Sequence, residues 1–586
     1  MPIQEWIHHW EVGAGSKMLK VAAGVMGFIA VAALFDALAG QGFSSEEAME
    51  TAQLARNLSR GKGYTTQSIR PLSIHLLREQ APPGQAAAAL NHPVPDISTP
   101  PAYPVLLAGL MAVLPFNFAA SQYWYFAPER WIAVFNQILF FVAVLLLFHL
   151  AKKLFDSRVA WLSAALFAGS NLFWKFTVSG LSTLWLVVVL LAAVRGLVRL
   201  QEREMAGRTG FGSPALAAWV GAWIGLGGLS RYAFSWMILP ALLFIAWIAP
   251  RGRARLCAVA GAAFLMVMGP WIARNVAVSG LCFGAASYAV LEQTPPFPQD
   301  TLERSFDLEN GFKRVGPLEV VDKFLVNARE IWRHDLPRMG GNWVSAFFLV
   351  GLLIPFRNPA LGRIRVFLLC SMALLFVVQA VDQTHVTGDS PEINSENLLA
   401  LLAPLVFVYG VALFYTLLDQ LQLVTVDTRG AVVGGFVLVT CAPLLMSLLL
   451  GRSPDRNTPY SPLGVQRVAH MMRPEEFMIS DIPGALAWYG DRQCGWLPLD
   501  DDQEFYEFNR LKPIKAVYLT QRTTNARFLS QMMLDPKSWG RFVVDACQNY
   551  GEVPSGFPLT KAPAGFLPDR MLVSDQPRWR MPPSNP

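Results

Sequence analysis

The chain has 586 residues, of which 53% are hydrophobic and 15% charged, against roughly 25% charged in an ordinary soluble chain; this balance excludes a soluble globular protein and describes a polytopic membrane protein. The net charge of +6 does not point to nucleic acid, because Arg and Lys sit in short clusters between hydrophobic segments, where they orient a membrane chain. The six cysteines carry no CxxC or Cys/His metal spacing, which argues against a zinc or redox centre.

In chain order, Lys17 and Lys20 accompany an apolar run over 18–39. It is longer than the roughly 7–15-residue core of a signal peptide and has no clean cleavage site, so it reads as a retained first span. Further spans are expected near 129–151, 157–175, 178–200, 214–230, 232–249, 254–274, 342–357, 363–381, 396–418 and 430–450, several of them close to the shortest length that crosses a bilayer. The clusters "KKLFDSR", "RGLVRLQEREMAGR", "RGRAR" and "RNPALGRIR" all fall on the side of Lys17 and Lys20. The positive-inside rule then puts the N-terminus in and, after about eleven crossings, the C-terminus out, with outer loops over 40–128 and 275–341. The stretch "PPAYPVLLAGLMAVLPF", residues 100–116, is apolar but short and bracketed by prolines. A helix over about 101–117 that lies in the interface or re-enters accounts for it without moving every later cluster to the other side.

From about Gly451 the chain turns polar, Pro-rich and charged. "FMISD" and "AVYLT" read as short buried strands, "PGALAWYG" and "DDQEFYEFNRL" as helical pieces between them. The expected architecture is therefore a polytopic α-helical membrane domain over 1–450 and a small extracytoplasmic α/β domain over 451–586. Cys494 and Cys547 share that tail, which leaves a disulfide open there; the run Asp500, Asp501 and Asp502 reads as a solvated helix start.

The first outer loop opens with "SSEEAMETAQLARNLSRGKGYTTQSIRP". Ala48, Ala52, Ala55, Leu54 and Leu58 recur at helical spacing, and Ser44 or Ser45 can cap the helix start. Glu46 and Glu50 are four apart and Glu47 and Glu50 three apart, so the three carboxylates share a face. Acids in a first turn also compensate the helix dipole with no further role. What favours chemistry is the position, just after a span and before a Gly61/Gly63 turn flanked by Arg60, Lys62 and Arg70: acid beside base at a membrane surface suits a charged lipid substrate.

That order, continued by "TPPAYPVLLAGL", "LAKKLFDSRVAWLSAALFAGS", "GLGGLSRYAF" and "GPWIARNVAVSGLCFG", resembles the GT-C superfamily of membrane glycosyltransferases, notably bacterial relatives of protein O-mannosyltransferases and lipid A aminoarabinose transferases. The resemblance covers most of 18–285 and continues loosely through "NLLALLAPLVFVYG". It implies transfer of a sugar from a polyprenyl-phosphate donor to an acceptor on the outer face, in a cell membrane and, by kinship, a bacterial inner membrane. It implies an acid of the first loop as general base and basic groups on the phosphate. The family's aspartate falls on Glu47, and a variant of the pattern puts it on Glu50; both are glutamates here, with Glu46 third. Where many relatives carry a second acid, this chain reads "KFTVSGLSTLW".

A metal site built on paired acids is thus not supported, and no cofactor is implied outright, although Glu47 and Glu50 leave a loosely held divalent cation open. Donor-phosphate candidates are Arg70, Arg231, Arg274 and Lys62; Arg231 is equally readable as an interfacial arginine, and for Arg274 the resemblance favours the phosphate role. His92 and Asp96 in "NHPVPDISTPP" and His385 with Asp389 in "DQTHVTGDSPEINSEN" are acceptor-site candidates, the first pair also readable as polar turn residues. The chain is expected to act as a monomer on lipid substrates, with no nucleic-acid partner. A catalytically inactive or re-tasked GT-C-like protein and a secondary transporter are the competing readings, and no internal repeat supports the latter.

Overall fold

The computed structural model describes residues 14–38, 42–80, 93–120, 125–208, 210–250, 252–306, 308–341, 343–353, 359–384, 393, 395–421, 426–450, 459–524, 539–548, 553, 556–560 and 570–578. Among them, seven helices are long and apolar enough to cross a membrane: Val21–Leu38, Ala127–Leu154, Thr183–Met205, Arg253–Ser279, Pro359–Asp382, Leu399–Gln420 and Thr428–Leu450. The protein is a polytopic helical membrane protein. The other expected spans are shorter or broken helices. The segment 157–175 divides into Ser157–Ala168 and Asn171–Val178. The segment 232–249 starts as a 3-10 turn, Tyr232–Met237, before Ile238–Ile248, and 342–357 gives Trp343–Gly351. Hydropathy sums apolar residues across such interruptions, whereas a helix ends where its backbone hydrogen bonds do. Helix Gly212–Gly228 passes Arg253–Ser279 so closely that a Cβ on Gly221 would lie 1.9 Å from the Ala260 carbonyl oxygen.

The expected proline-bracketed element is the helix Ala102–Val113, twelve residues long. It packs on the acidic helix, Glu46–Ser59. That helix forms where the cap and spacing predict. Ser45 is extended (φ −125°, ψ 142°) and its side chain accepts from the Ala48 N–H, while Glu46 and Glu47 occupy the first turn and meet the positive end of the dipole. It ends in "RGKG", where Gly61 (φ 73°) and Gly63 (φ 74°) take left-handed conformations that a residue with a Cβ adopts only at a cost.

Among the described residues seven strands follow: β1 Thr65–Thr66, β2 Ser68–Ile69, β3 Val94–Pro95, β4 Phe477–Ser480, β5 Cys494–Trp496, β6 Ile514–Leu519 and β7 Met571–Ser574. β1 and β3 pair antiparallel within the first loop. The rest form one sheet in the order β2-β5-β4-β6-β7, with β2, β5, β4 and β6 parallel and β7 antiparallel. β4 is buried at all four positions, as a strand covered on both faces should be. The tail's sheet thus borrows β2 from a loop more than 400 residues earlier, Ser68 pairing with Cys494. Cys494 is a buried free thiol that fills the core of β5; its partner in the bridge left open by the sequence, Cys547, has a side chain outside the described residues. The Asp500 side chain, read as part of a solvated start, accepts from the Glu504 N–H at 2.9 Å and opens helix Gln503–Leu511.

One buried cation joins the two parts. Arg56, 1% exposed, donates to the carbonyls of Ala487 (2.6 Å) and Trp488 (2.8 Å) at the end of helix Pro483–Gly490 and to Asp491 at 2.9 Å. Asp491 closes that helix in a left-handed conformation (φ 52°) and also accepts from Arg60 (2.6 Å) and Gln67 (3.0 Å). Burial works to raise its pKa, and Arg56 with Arg60 overcomes this, holding the carboxyl at about 2. Glu129 makes a second joint, accepting from Phe43 N (3.2 Å), Trp488 Nε1 (3.1 Å) and Tyr489 Oη (2.6 Å). Replacing Arg56 with methionine leaves two carbonyls and Asp491 without their donor. Thermal unfolding in detergent should show a loss on the order of 3 kcal/mol, as for a broken buried pair; an unchanged midpoint would mean that Arg56 does not hold the parts together.

Candidate active site

In a parallel sheet the strand ends that carry the carboxyl groups all face one way, and α/β proteins place their ligands there. The residues at those ends are Arg70 after β2, Trp496 at the end of β5, Asp481 after β4, and Thr520 and Arg522 after β6. They meet the start of helix Glu46–Ser59, so the three glutamates lie where sheet, first loop and second loop converge.

The three carboxylates have different surroundings. Glu50 is buried. It accepts from the Ser68 hydroxyl at 2.7 Å and forms a close ion pair with Arg70. Arg70 also bonds Glu303 at 2.8 Å and lies over the Trp496 ring, 5.4 Å from its centroid. Burial disfavours the charged guanidinium, but Glu303 and Glu50 outweigh it and raise its pKa overall. Glu46 accepts from Gly484 N–H at 2.7 Å and lies 3.9 Å from Arg522. A Cβ on Gly484 would come within 2.5 Å of that carboxylate, so glycine is what lets it reach the backbone. Burial pushes the Glu46 carboxyl up to about 7 against the pull of Arg522, with Glu50 adding to the rise. Glu47 alone is exposed; its contact is a hydrogen bond donated by the Ser395 hydroxyl.

Of the basic candidates, the structure brings Arg70 and Arg274 into one neighbourhood with Asp96. Arg274 donates to the Asp96 carbonyl at 2.6 Å and to Asn275 Oδ1 at 3.0 Å, and its guanidinium sits over Trp271 (4.7 Å) and Tyr64 (5.7 Å). The Asp96 side chain caps its own loop, accepting from Thr99 N at 2.8 Å and Ser98 N at 3.2 Å. Burial raises its pKa to about 6 against those bonds and Arg70. Arg231 follows helix Gly212–Gly228 in an extended conformation. Its Nε is buried without a hydrogen-bond partner among the described residues, within electrostatic reach of Asp382. The next residue, Tyr232, accepts from Trp271 Nε1 (2.8 Å) and Asn275 Nδ2 (3.1 Å), which sets Arg231 beside the Arg274 helix. Lys62 lies beyond the far end of helix Glu46–Ser59 from Glu47, about 20 Å along its axis, with an exposed side chain. It is not gathered into the cluster. His92, His385 and Asp389 lie outside the described residues.

Several groups escape a sequence reading. The half-buried Glu292, Glu303 and Glu396 and the buried Lys323 interact electrostatically in a web that links Arg70 to Asp382. Burial and then Glu303 and Glu396 push the Glu292 carboxyl well up, while burial lowers Lys323 against the pull of Glu292, Asp382 and Glu396. Asp481 is held by both Thr520 and Thr523, hydroxyls at 3.0 and 2.9 Å. None carries a local motif; only the loop lengths around them signal that they belong to a site. No group of three or more His, Cys, Asp or Glu residues is placed to hold a metal among the described residues. Glu50 has both oxygens engaged by Ser68 and Arg70, so the cation left open between Glu47 and Glu50 does not fit this arrangement.

The comparisons agree with this architecture. A family model described as dolichyl-phosphate-mannose-protein mannosyltransferase matches residues 100–273. No curated protein sequence matches the chain. Among solved structures, the Archaeoglobus fulgidus oligosaccharyltransferase AglB, in complex with an inhibitory peptide and a dolichol-phosphate, superposes with a TM-score of 0.54 at 12% identity, covering 88% of this chain and 71% of that one. ArnT from Cupriavidus metallidurans bound to undecaprenyl phosphate gives 0.50 at 10% identity, covering 95% and 98%. Both are GT-C superfamily members, and the chain shares their fold.

The Glu46 environment gives a pH dependence with a definite sign. The folded value of about 7 lies above the ordinary 4.5, so between these the folded protein keeps a proton that the unfolded chain has released. Stability therefore falls as pH rises through that window and is flat outside it. Thermal unfolding in detergent at pH 5 and pH 8 should show a larger drop for the wild type than for Glu46→Gln; equal drops would place the titration elsewhere.

Proposed function

We propose that the protein is a membrane glycosyltransferase that moves a sugar from a polyprenyl-phosphate donor to an acceptor hydroxyl on the extracytoplasmic face, with Glu47 as general base. The observation that carries this reading is the division among the three glutamates: Glu50 is bonded to Arg70 and Ser68 and Glu46 to Gly484, leaving Glu47 as the exposed acid on the shared face. The shared GT-C fold and the match over residues 100–273 support the same chemistry.

In this reading Glu47 takes the proton of the acceptor hydroxyl as its oxygen bonds to the anomeric carbon. The bond from that carbon to the phosphate oxygen breaks, and polyprenyl phosphate leaves. A positioned base contributes typically 10²–10⁴-fold. Ser395 fixes the Glu47 carboxylate from one side. The charge arriving on the phosphate needs a cation that is not already spent. Arg70 is committed to Glu50 and Glu303 and acts as a positioning residue that holds the start of the acidic helix. Arg231, with its unbonded Nε, is the phosphate ligand, with Arg274 beside it. The orientation with the N-terminus in, eleven crossings and a tail domain outside puts this site at the outer membrane boundary, and the tail over 451–586 closes it from above.

Purified protein given radiolabelled polyprenyl-phosphate sugars and a cell-envelope acceptor fraction tests the assignment. Glu47→Gln should lose 10²-fold or more of transfer while keeping its affinity for undecaprenyl phosphate. Arg231→Ala should lose that affinity. Arg70→Ala should reduce transfer, with partial recovery in Arg70→Lys. Full transfer by Glu47→Gln would remove the base.

A further inference from the structure

The helix Pro317–Glu330 is amphipathic in the inverted sense. Its inward face carries Lys323 and Asn327, both buried. Lys323 Nζ donates to the Ala289 carbonyl at 2.7 Å. Asn327 Nδ2 donates to the carbonyls of Ala380 (3.0 Å) and Gln383 (3.1 Å), at the end of helix Pro359–Asp382. Its outward face carries Leu318 (77% exposed), Val321 (50%), Leu325 (58%) and Val326 (54%), continued by Trp332 (66%) in the following turn. At about 100° per residue, Leu318, Val321 and Leu325 fall within about 60° of one another, and Lys323 and Asn327 lie on the opposite side. The helix cannot be rolled to hide the apolar stripe, because that would expose two buried polar side chains and free the carbonyls they satisfy.

We infer that this helix lies in the membrane interface and that its outward stripe docks on the acyl region of a bilayer rich in anionic phospholipid. Two observations select lipid over a protein partner. The stripe runs on into Trp343, Leu349, Val350 and Leu353 of the adjoining apolar helix and turn, which are themselves exposed, so the surface continues that of the membrane domain. The stripe is also bordered by exposed cations: Lys313 and Arg314 before the helix, Arg329, Arg333 and Arg338 along and after it. Of the acids of the same stretch, Glu319 bonds Gly316 N at 2.9 Å, Glu330 lies 3.4 Å from His334 and Asp335 accepts from Gln379 at 2.8 Å, while Asp322 is exposed on the outward face, one acid against the five exposed cations. An apolar stripe flanked by Arg and Lys is the pattern of a helix lying among anionic headgroups. Because Asn327 ties its inner face to the end of helix Pro359–Asp382 and Lys323 ties it to Ala289, lipid on one side and the acid web on the other share one rigid element.

The test uses full-length protein in nanodiscs of equal parts phosphatidylcholine and phosphatidylglycerol, with p-benzoylphenylalanine placed at Val321 or Leu325 and, as control, at Glu507 in the tail. After illumination, mass spectrometry should find phospholipid adducts at Val321 and Leu325 and none at Glu507. Phosphatidylglycerol should exceed phosphatidylcholine among them by about twofold or more, falling to parity in Arg329→Glu/Arg333→Glu. Adducts to a second copy of the chain, or no lipid adducts at either position, would overturn the docking. Equal lipid ratios in the wild type would overturn its preference for anionic lipid. Folding of each variant is read independently from its elution and melting, so a misfolded variant is replaced by the other labelled position.

Discussion

Everything at the candidate site depends on a buried guanidinium meeting the end of a helix. Arg56 satisfies the carbonyls of Ala487 and Trp488 and pairs with Asp491, and β2 pairs with β5 just beyond. A buried arginine without these partners would cost several kcal/mol, so the acidic helix and the tail helix are held in one relation. The carboxyl ends of the sheet then come to the first turn of the acidic helix, and Glu46, Glu47 and Glu50 acquire distinct neighbours from elements far apart in the chain.

The division of labour among the three glutamates follows. Glu50 has one oxygen on the Ser68 hydroxyl and the other on Arg70, so neither is open to an incoming hydroxyl. Burial leaves Glu46 able to carry a proton near neutrality, and its bond to Gly484 makes it a tie between the loop and the tail. Glu47 is exposed on the same face and accepts from the Ser395 hydroxyl; in the proposed reading that bond aims it at the acceptor. A similar logic sorts the cations. Arg70 has two acids already, whereas Arg231 has a buried donor with nothing bonded to it among the described residues.

Some of this was legible in the sequence because it is local. Ser45 as cap, the alanine spacing of the acidic helix, the Gly61/Gly63 turn and the two central strands are set by residues within a few positions, and the GT-C resemblance rests on their order. What the sequence hid is what folding brings from a distance. Glu303 reaches Arg70 across 233 positions and Ser395 reaches Glu47 across 348, and neither sits in a motif. Lys62 shows the converse: close in sequence to the acids, it is carried to the far end of their helix by the rise of the helix itself. The broken spans at Gly169 and Tyr232 were equally invisible to hydropathy, which weighs side chains and not backbone continuity.

The central claim is that Glu47 and Arg231 engage substrate while Glu46, Glu50 and Arg70 hold the frame. A cryo-electron microscopy map of the protein in nanodiscs with undecaprenyl phosphate tests it most directly. The account predicts a phosphate bonded to Arg231 beside Arg274, with open space between it and the Glu47 carboxylate and with the Glu50–Arg70 pair intact. A phosphate seated on Arg70 with Glu50 displaced, or one distant from Arg231, would contradict it.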